Sequence, residues 1–270
     1  MQSINFQFGT SQIQTSSRMR KWPLLSKLVF SVFGYTSVGN YARSRVFRKL
    51  LNEVPVAQCH KIMDLGAGLG EYTFALAKEL PDTKFTALEI LDPRVAALRH
   101  VVTSQQIKNV DVFPDKIEKL NQDGQFDFIF SVDVFEHILK EEMPFDQCFV
   151  KLKQGGHLLV KMPNVINRTI LPHSFFGEHN EWLDKEHVGQ VYDLEGLKDR
   201  FTKAGFKIVY AQYADGMFAR AGWELAYFSK KLGSVFQLLT LPLCKFLVIL
   251  DGIGGSRKQG NTIQVIGQKP

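Results

Sequence analysis

Cysteine is scarce in this chain of 270 residues, and its placement excludes more than its number does. Cys59, Cys148 and Cys244 stand far apart, with no CxxC spacing. That argues against a disulfide framework and a cysteine-based zinc site, and it fits a reducing compartment. Long apolar runs are missing too. No segment reaches 18 uncharged apolar residues, so a transmembrane helix is not expected. Leu28 to Asn40 and Leu232 to Cys244 come part of the way, and Pro242 interrupts the second. A secretory signal is not expected either, because the first apolar stretch starts late and a basic segment follows it. No internal repeat is visible.

Acidic residues are absent before Glu53. The same segment carries eight basic ones: Arg18, Arg20, Lys21, Lys27, Arg43, Arg45, Arg48 and Lys49. Taking these eight from 33 leaves 25 basic residues against 27 acidic ones, so the rest of the chain is close to neutral. The whole excess of +6 therefore sits in the N-terminal part. A phosphate-tracking surface needs basic residues spread over the body, so nucleic acid is not expected as a partner. A basic arm suits an anionic membrane surface or an acidic partner better, and its plain alternative is a solvated segment. The expected location is cytoplasmic. Peripheral membrane contact through the arm and residues 232–250 is the sharper option, and a helical pair packed on the sheet or on the N-terminal helices is the plainer one.

What is present is an alternating rhythm. "HKIMDLG", "KFTALEI", "NVDVFP", "FDFIFSVD", "GGHLLVKMP", "KIVYAQYA" and "NTIQVIGQK" read as short strands. Between them, "GEYTFALAKEL", "PRVAALRHVVTSQ" and "LEGLKDRFTKAGF" have helical spacing, punctuated by Pro81, Pro93 and Gly205. Alternating strands and helices predict an α/β fold with a doubly wound, mostly parallel sheet. Residues 1–22 read as a disordered arm and residues 23–56 as helices broken near Gly34 and Gly39. Residues 57–270 hold the sheet. Two stretches, 164–192 and 215–260, do not fit the alternation and read as additions that shape a binding site.

The first strand runs into "DLGAGLG". Gly66, Gly68 and Gly70 follow Asp64 at every second position. This is GxGxG and not the GxGxxG of a dinucleotide loop. A carboxylate at Asp64 would repel a pyrophosphate and attract an ammonium group. Glu89 ends the second strand, 19 residues after Gly70, where an acidic residue can accept hydrogen bonds from a ribose diol. Asp115, just past the third strand, can accept one from an exocyclic amine, and Ile117 can cover the face of a base.

With "DLGAGLG", "ALEI", "VFPDKI", "FDFIFSVDVFEHI" and "LKQGGHLLVKMPN" in this order, the chain resembles the class I S-adenosylmethionine-dependent methyltransferases from about Lys61 to Tyr210 and again over the final strand. The resemblance implies a Rossmann-like, seven-stranded sheet whose last strand runs antiparallel between the fifth and sixth. It implies S-adenosyl-L-methionine as cofactor. Asp64, Gly66, Ala67, Gly68 and Gly70 would hold its methionine part, and Glu89 with Ile90 the ribose. Asp115, Lys116 and Ile117 would frame the adenine. Ser131, Val132 and Asp133, within Ser131 to Phe135, would line the floor below the methyl group. The expected acceptor is an oxygen of a small-molecule, glycan or lipid-like substrate, with nitrogen or carbon as alternative target atoms.

Histidines are the obvious bases for such an acceptor. "PHSFFGEHNEWLDKEHVGQVY" reads as an aromatic lid, with His187 first and His179 second as base or substrate-orienting groups, and His137 in "DVFEHI" as a third candidate. For the two lid histidines the plain alternative is a histidine bonded to the lid backbone, and for His137 it is a structural role at a helix start. Asp133, Glu136 and His137 loosely match metal-associated positions of the ubiquinone-biosynthesis O-methyltransferases, but one short match sets no metal site, and none is expected. Rival classes are an NAD-dependent oxidoreductase, disfavoured by GxGxG and by the apparent absence of a Tyr-x-x-x-Lys pair on a helix beside the sheet, and a non-catalytic binding protein. Base methylation of nucleic acid is disfavoured because "SVDVFEH" stands where an "NPPY"-like stretch would.

Overall fold

A computed structural model of the chain describes residue 6 and residues 21–178, 181, 192–253 and 258–270. Nearly all of the predicted arm, and both His179 and His187, lie outside the described residues. Seven strands form one sheet: β1 Lys61–Leu65, β2 Lys84–Leu88, β3 Val110–Phe113, β4 Phe126–Val132, β5 Leu152–Pro163, β6 Lys207–Ala214 and β7 Thr262–Gln268. Their order is β3-β2-β1-β4-β5-β7-β6. Strand pairs from β3 across to β5 are parallel, and β7 runs antiparallel to both β5 and β6. This is the Rossmann-like methyltransferase sheet that the resemblance implied.

The strand residues explain the two layers. Side chains alternate across a sheet, so neighbouring apolar residues enter opposite layers. Ile62, Phe128, Phe130 and Leu159 fall in one cluster, while Met63, Ile129, Leu158 and Val160 fall in the other. The first layer is covered by helices α2 (Val38–Leu50), α3 (Glu71–Glu79) and α4 (Asp92–Ser104) through Phe47, Leu76 and Leu98. The second is covered by α5 (Phe145–Lys151) and α6 (Leu194–Lys203) through Phe145, Leu197 and Phe201. Apolar runs buried on both faces read as continuous, which is why these strands stand out in the sequence.

Ahead of the sheet, α1 (Pro23–Phe33) ends at Gly34, whose φ of 62° stops the helix. The expected break, marked by Gly34 and Gly39, falls between α1 and α2. Ser37 caps α2 by accepting from the Asn40 amide at 3.3 Å, so Gly39 lies inside that helix. After β6, the chain forms a helical hairpin, α7 (Met217–Lys231) and α8 (Ser234–Asp251). Leu241, Cys244 and Val248 of α8 pack with Val38 of α2. The Asp251 carboxylate returns to the start of α7 and accepts from the Gly216 and Phe218 amides at 3.0 and 3.2 Å. The opposite side of α8 exposes Val235, Leu239, Leu243 and Phe246, and α1 buries none of its residues. By length and composition, α8 passes as one membrane-spanning helix although Lys245 and Asp251 lie within it, and 22% of it is buried.

The hairpin depends on one close crossing. A Cβ added at Gly222 of α7 would lie 2.7 Å from the Cys244 carbonyl oxygen of α8. Two effects of opposite sign meet here. Alanine gains about 1 kcal/mol over glycine in a helix interior. Forcing apart a packed contact costs about 1–3 kcal/mol. The neighbour is backbone and cannot swing away, so Gly222→Ala lowers the thermal unfolding midpoint. A raised midpoint would show that the helices do not meet this closely.

Candidate active site

The carboxyl ends of β1, β2, β4 and β5 open into a cavity of about 1310 Å³. α2 borders it on one side, and the segments after β5 and β6 border it on another. Ligands in such sheets gather where the strand order reverses, which here is between β1 and β4.

The turn after β1 carries three glycines with positive φ: Gly66 at 81°, Gly68 at 58° and Gly70 at 78°. The Gly66 and Ala67 amides both donate to the Leu88 carbonyl at 2.9 Å, which locks the turn against the end of β2. At Gly66 a Cβ would meet Val134 at 2.5 Å, so a larger residue is excluded on the protein side. At Gly68 a Cβ would meet nothing within 4 Å, and this residue borders the cavity. The bare backbone there faces open space that a ligand can use.

Two buried carboxylates flank this turn. Glu89 receives the Gly68 amide on one oxygen at 2.9 Å, and the Ile90 and Leu91 amides on the other at 2.9 and 3.0 Å. Asp64 receives the Thr73 hydroxyl at 2.6 Å. Burial pushes the Asp64 carboxyl up to about 7, against the bond from Thr73. Both carboxylates border the cavity, as do Ile90, Lys116 and the buried Ile117. Asp115 does not. Its exposed carboxylate accepts from Lys119 at 2.8 Å and from the Lys116 amide, and these contacts hold it below the usual carboxylate range. Ser131 is buried beneath the floor, where its hydroxyl donates to the Leu65 carbonyl at 3.0 Å. Val132 and Asp133 reach the cavity.

Around Asp133 lies a charged group that sequence reasoning did not assemble. Asp133 has a φ of 53°, and for a non-glycine such a conformation costs on the order of 1–3 kcal/mol. Its carboxylate sits between Arg43 Nε at 2.6 Å and the buried Lys161 Nζ at 2.8 Å. Burial works against its charge, but the Lys161 and Arg43 cations hold the carboxyl below its usual range. Glu136, 2% exposed, stands beside this set and borders the cavity. Burial first, and then the negative charge of Asp133, push its carboxyl up to about 8. Its Oε2 is buried without a hydrogen-bond partner. His137 borders the cavity from an exposed position. Among the described residues, no group of His, Cys, Asp and Glu has the arrangement to hold a metal ion.

Arg43 had been counted with a basic surface arm, but it lies on α2, 90 residues from Asp133, and reaches inward. Charge counted along the chain cannot show that pairing. For Glu136 the available signal was its place directly after the buried Phe135 in the turn that follows β4.

Comparisons with known proteins agree with this geometry. A family model described as a methyltransferase domain matches residues 40–211. The ribosomal RNA small subunit methyltransferase G of Aliivibrio fischeri is 26% identical, over 77% of this chain and 100% of its own length. A tRNA (guanine-N(7)-)-methyltransferase of Neisseria meningitidis is 31% identical over 36% of this chain. The chain spans between a third and a half of the length of that enzyme and several other curated relatives. Among solved structures, the phosphoethanolamine N-methyltransferase 2 of Haemonchus contortus, in complex with phosphomonomethylethanolamine and S-adenosylhomocysteine, superposes with a TM-score of 0.62. It is 20% identical, over 90% of this chain and 56% of that one.

These relatives correct one expectation. Nucleic acid had been excluded as a partner because the body is nearly neutral, yet the relatives include methyltransferases of ribosomal and transfer RNA. The exclusion does not stand. A net charge says nothing about where charges gather: Arg43, Arg94, Lys161, Arg168 and Arg220 all border this cavity, among carboxylates such as Glu89 and Asp133.

The raised Asp64 value has a measurable consequence. Below about pH 7 the carboxyl holds its proton, and above it the carboxylate forms. With Asp64 as partner of the cofactor's ammonium group, S-adenosylmethionine affinity should rise with pH and be about tenfold weaker at pH 6 than at pH 8 by calorimetry. Asp64→Asn should bind more weakly and lose this dependence. The same slope in that variant would assign the proton to another group.

Proposed function

This chain belongs to the methyltransferase-domain family, and we propose that it moves a methyl group from S-adenosylmethionine to an oxygen of a compact acceptor seated beneath the two added segments. By family and fold it is an S-adenosylmethionine-dependent methyltransferase domain. The donor side fits that cofactor. Asp64 offers a carboxylate to an ammonium group, Glu89 offers acceptor oxygens to hydroxyls, and Gly68 leaves the room a side chain would fill. Ile117 supplies an apolar wall. When bound, the cofactor supplies a methyl group on a sulfonium whose departure leaves a neutral sulfide.

The observation that carries the acceptor side is the Glu136 carboxyl. It is buried, borders the cavity, and has an oxygen with no partner. A group near 8 can take the proton of an acceptor hydroxyl at the operating pH, whereas an ordinary carboxylate is too weak a base. Asp133 has a different task. Its ion pairs with Arg43 and Lys161 fix the floor, and its charge helps keep the Glu136 proton affinity high. Burial also keeps water from this oxygen, and alignment inside a dry site can supply much of the acceleration.

A cavity of about 1310 Å³ exceeds the roughly 300–1,000 Å³ typical of a single ligand pocket, so it has room for a donor and a compact acceptor together. The segment after β5 closes over it. Glu224 of α7 accepts from the Ile170 and Leu171 amides at 2.6 and 3.1 Å, and Phe176 packs on Trp223 and Tyr227. A nucleic-acid acceptor is the second reading, favoured by the relatives that methylate ribosomal and transfer RNA.

The test is a screen of hydroxyl-bearing acceptors and of RNA with labelled S-adenosylmethionine. With a working acceptor, turnover rises with pH through about 8 as Glu136 loses its proton. Glu136→Gln removes that rise and lowers kcat about 10²- to 10⁴-fold with cofactor affinity unchanged. Unchanged turnover in this variant would remove Glu136 from the reaction. Methyl transfer to RNA alone would replace the compact acceptor with the second reading.

A further inference from the structure

The cavity has a second charged group, drawn from other elements than Asp64 and Glu89. Arg168, from the segment after β5, and Arg220, from α7, both border it. The Arg168 backbone is clamped by a side chain. The Arg168 amide donates to Asn261 Oδ1 at 3.1 Å, and Asn261 Nδ2 donates back to the Arg168 carbonyl at 2.8 Å. The same Nδ2 reaches Asn167 Oδ1 at 2.9 Å. The guanidinium therefore springs from a fixed base just before β7. Arg220 lies in the first turn of α7, whose start is held by Asp251. Its Nε is buried with no hydrogen-bond partner.

Carboxylates are near, but they are occupied. Glu224 gives both oxygens to the Ile170 and Leu171 amides. Asp251 gives both of its oxygens to the Gly216 and Phe218 amides. Asp215 accepts the Thr262 hydroxyl at 2.7 Å. None of them forms an ion pair with Arg168 or Arg220 among the described residues. Burial first, then the charge of Arg168, lowers the proton affinity of Arg220, and the charges of Asp251 and Glu224 offset this only in part. Two like charges on rigid supports bordering one cavity, one of them with a buried and unpartnered N–H, leave a place for an anion. The planar fork of arginine matches a phosphate or carboxylate with paired N–H bonds.

We propose that Arg168 and Arg220 form an anion subsite that seats a phosphate group of the acceptor and so sets its orientation toward Glu136. This rests on the methyltransferase reading of the cavity and adds the acceptor's class: a phosphate ester whose free hydroxyl lies at the opposite end from its charge. Arg168 and Arg220 act here as specificity-determining residues. They bind and orient, and they take no part in proton transfer.

The test uses the full chain with S-adenosylhomocysteine bound, titrated with inorganic phosphate, with acetate, and with a short single-stranded RNA. Phosphate should bind, and Arg168→Ala or Arg220→Ala should each weaken it about tenfold or more, the size of one lost charge-assisted bond. Arg220→Lys keeps the charge without the fork and should fall between wild type and alanine. S-adenosylhomocysteine affinity should stay unchanged in every variant, which shows that they are folded. Failure of S-adenosylhomocysteine to bind wild type would sink the methyltransferase reading itself. Normal binding of it, with phosphate affinity indifferent to both arginines, would overturn the anion subsite alone. Acetate held as tightly as phosphate would overturn the assignment to phosphate. RNA held far more tightly than phosphate, and released by the same substitutions, would overturn the compact ester in favour of a polymer.

Discussion

The bond from the Gly68 amide to the Glu89 carboxylate holds the site together. It joins the turn after β1 to the end of β2, and it is formed by a backbone donor that only a left-handed turn aims in that direction. Three glycines make such a turn cheap, and the close approach of Val134 makes the first of them obligatory. A buried carboxylate needs partners, and the turn supplies one while the Ile90 and Leu91 amides supply the others. The result is an anionic, rigid edge beside Asp64. That charge pattern suits a cationic ligand with hydroxyls and rejects a pyrophosphate.

From that edge the cavity changes character step by step. Its floor, after β4, carries Asp133 in a strained conformation, pinned by one cation from α2 and one from β5. Burial makes Glu136 hard to ionise, and pinning Asp133 as a charge adds to it, since two adjacent carboxylates do not both give up protons easily. Further out, the segment after β5 and the α7–α8 hairpin meet through Glu224 and an aromatic cluster around Phe176. Carboxylates beside the glycine turn, a proton-holding Glu136 on the floor and two arginines from the added segments give the cavity walls of different charge.

The sheet was legible because its signals are local. Each strand is a short apolar run bounded by turn residues, and seven of them appear in the sequence in the same places as in the structure. The glycine turn and Glu89 were legible too, because both lie at strand ends with a fixed spacing. Asp115 was assigned by the same logic, yet its side chain turns toward Lys119 and not toward the cavity. An exposed carboxylate takes the nearest cation, and strand-end position does not decide that. The floor was legible only in part: Val132 and Asp133 were expected there and reach the cavity. Arg43 of α2, Lys161 of β5 and the turn after β4 that carries Asp133 and Glu136 are three separate stretches, and only folding brings them together. Histidines stand out in a sequence as bases, since their ordinary titration range suits the task. Burial gives Glu136 a comparable range, and burial of one carboxylate is a tertiary property. The two added segments stood out in the sequence, but the pairing of Arg168 with Arg220, 52 residues apart, did not.

The central claim is that this turn and its carboxylates form a site for S-adenosylmethionine. Calorimetric titration of the full chain with S-adenosylmethionine and, separately, with NAD tests it most directly, with Glu89→Ala beside wild type. Wild type should bind S-adenosylmethionine at one site and not NAD, and the variant should bind it about tenfold more weakly or worse, the cost of losing acceptors for ribose hydroxyls. Binding of NAD without S-adenosylmethionine, or full affinity in Glu89→Ala, would contradict the account.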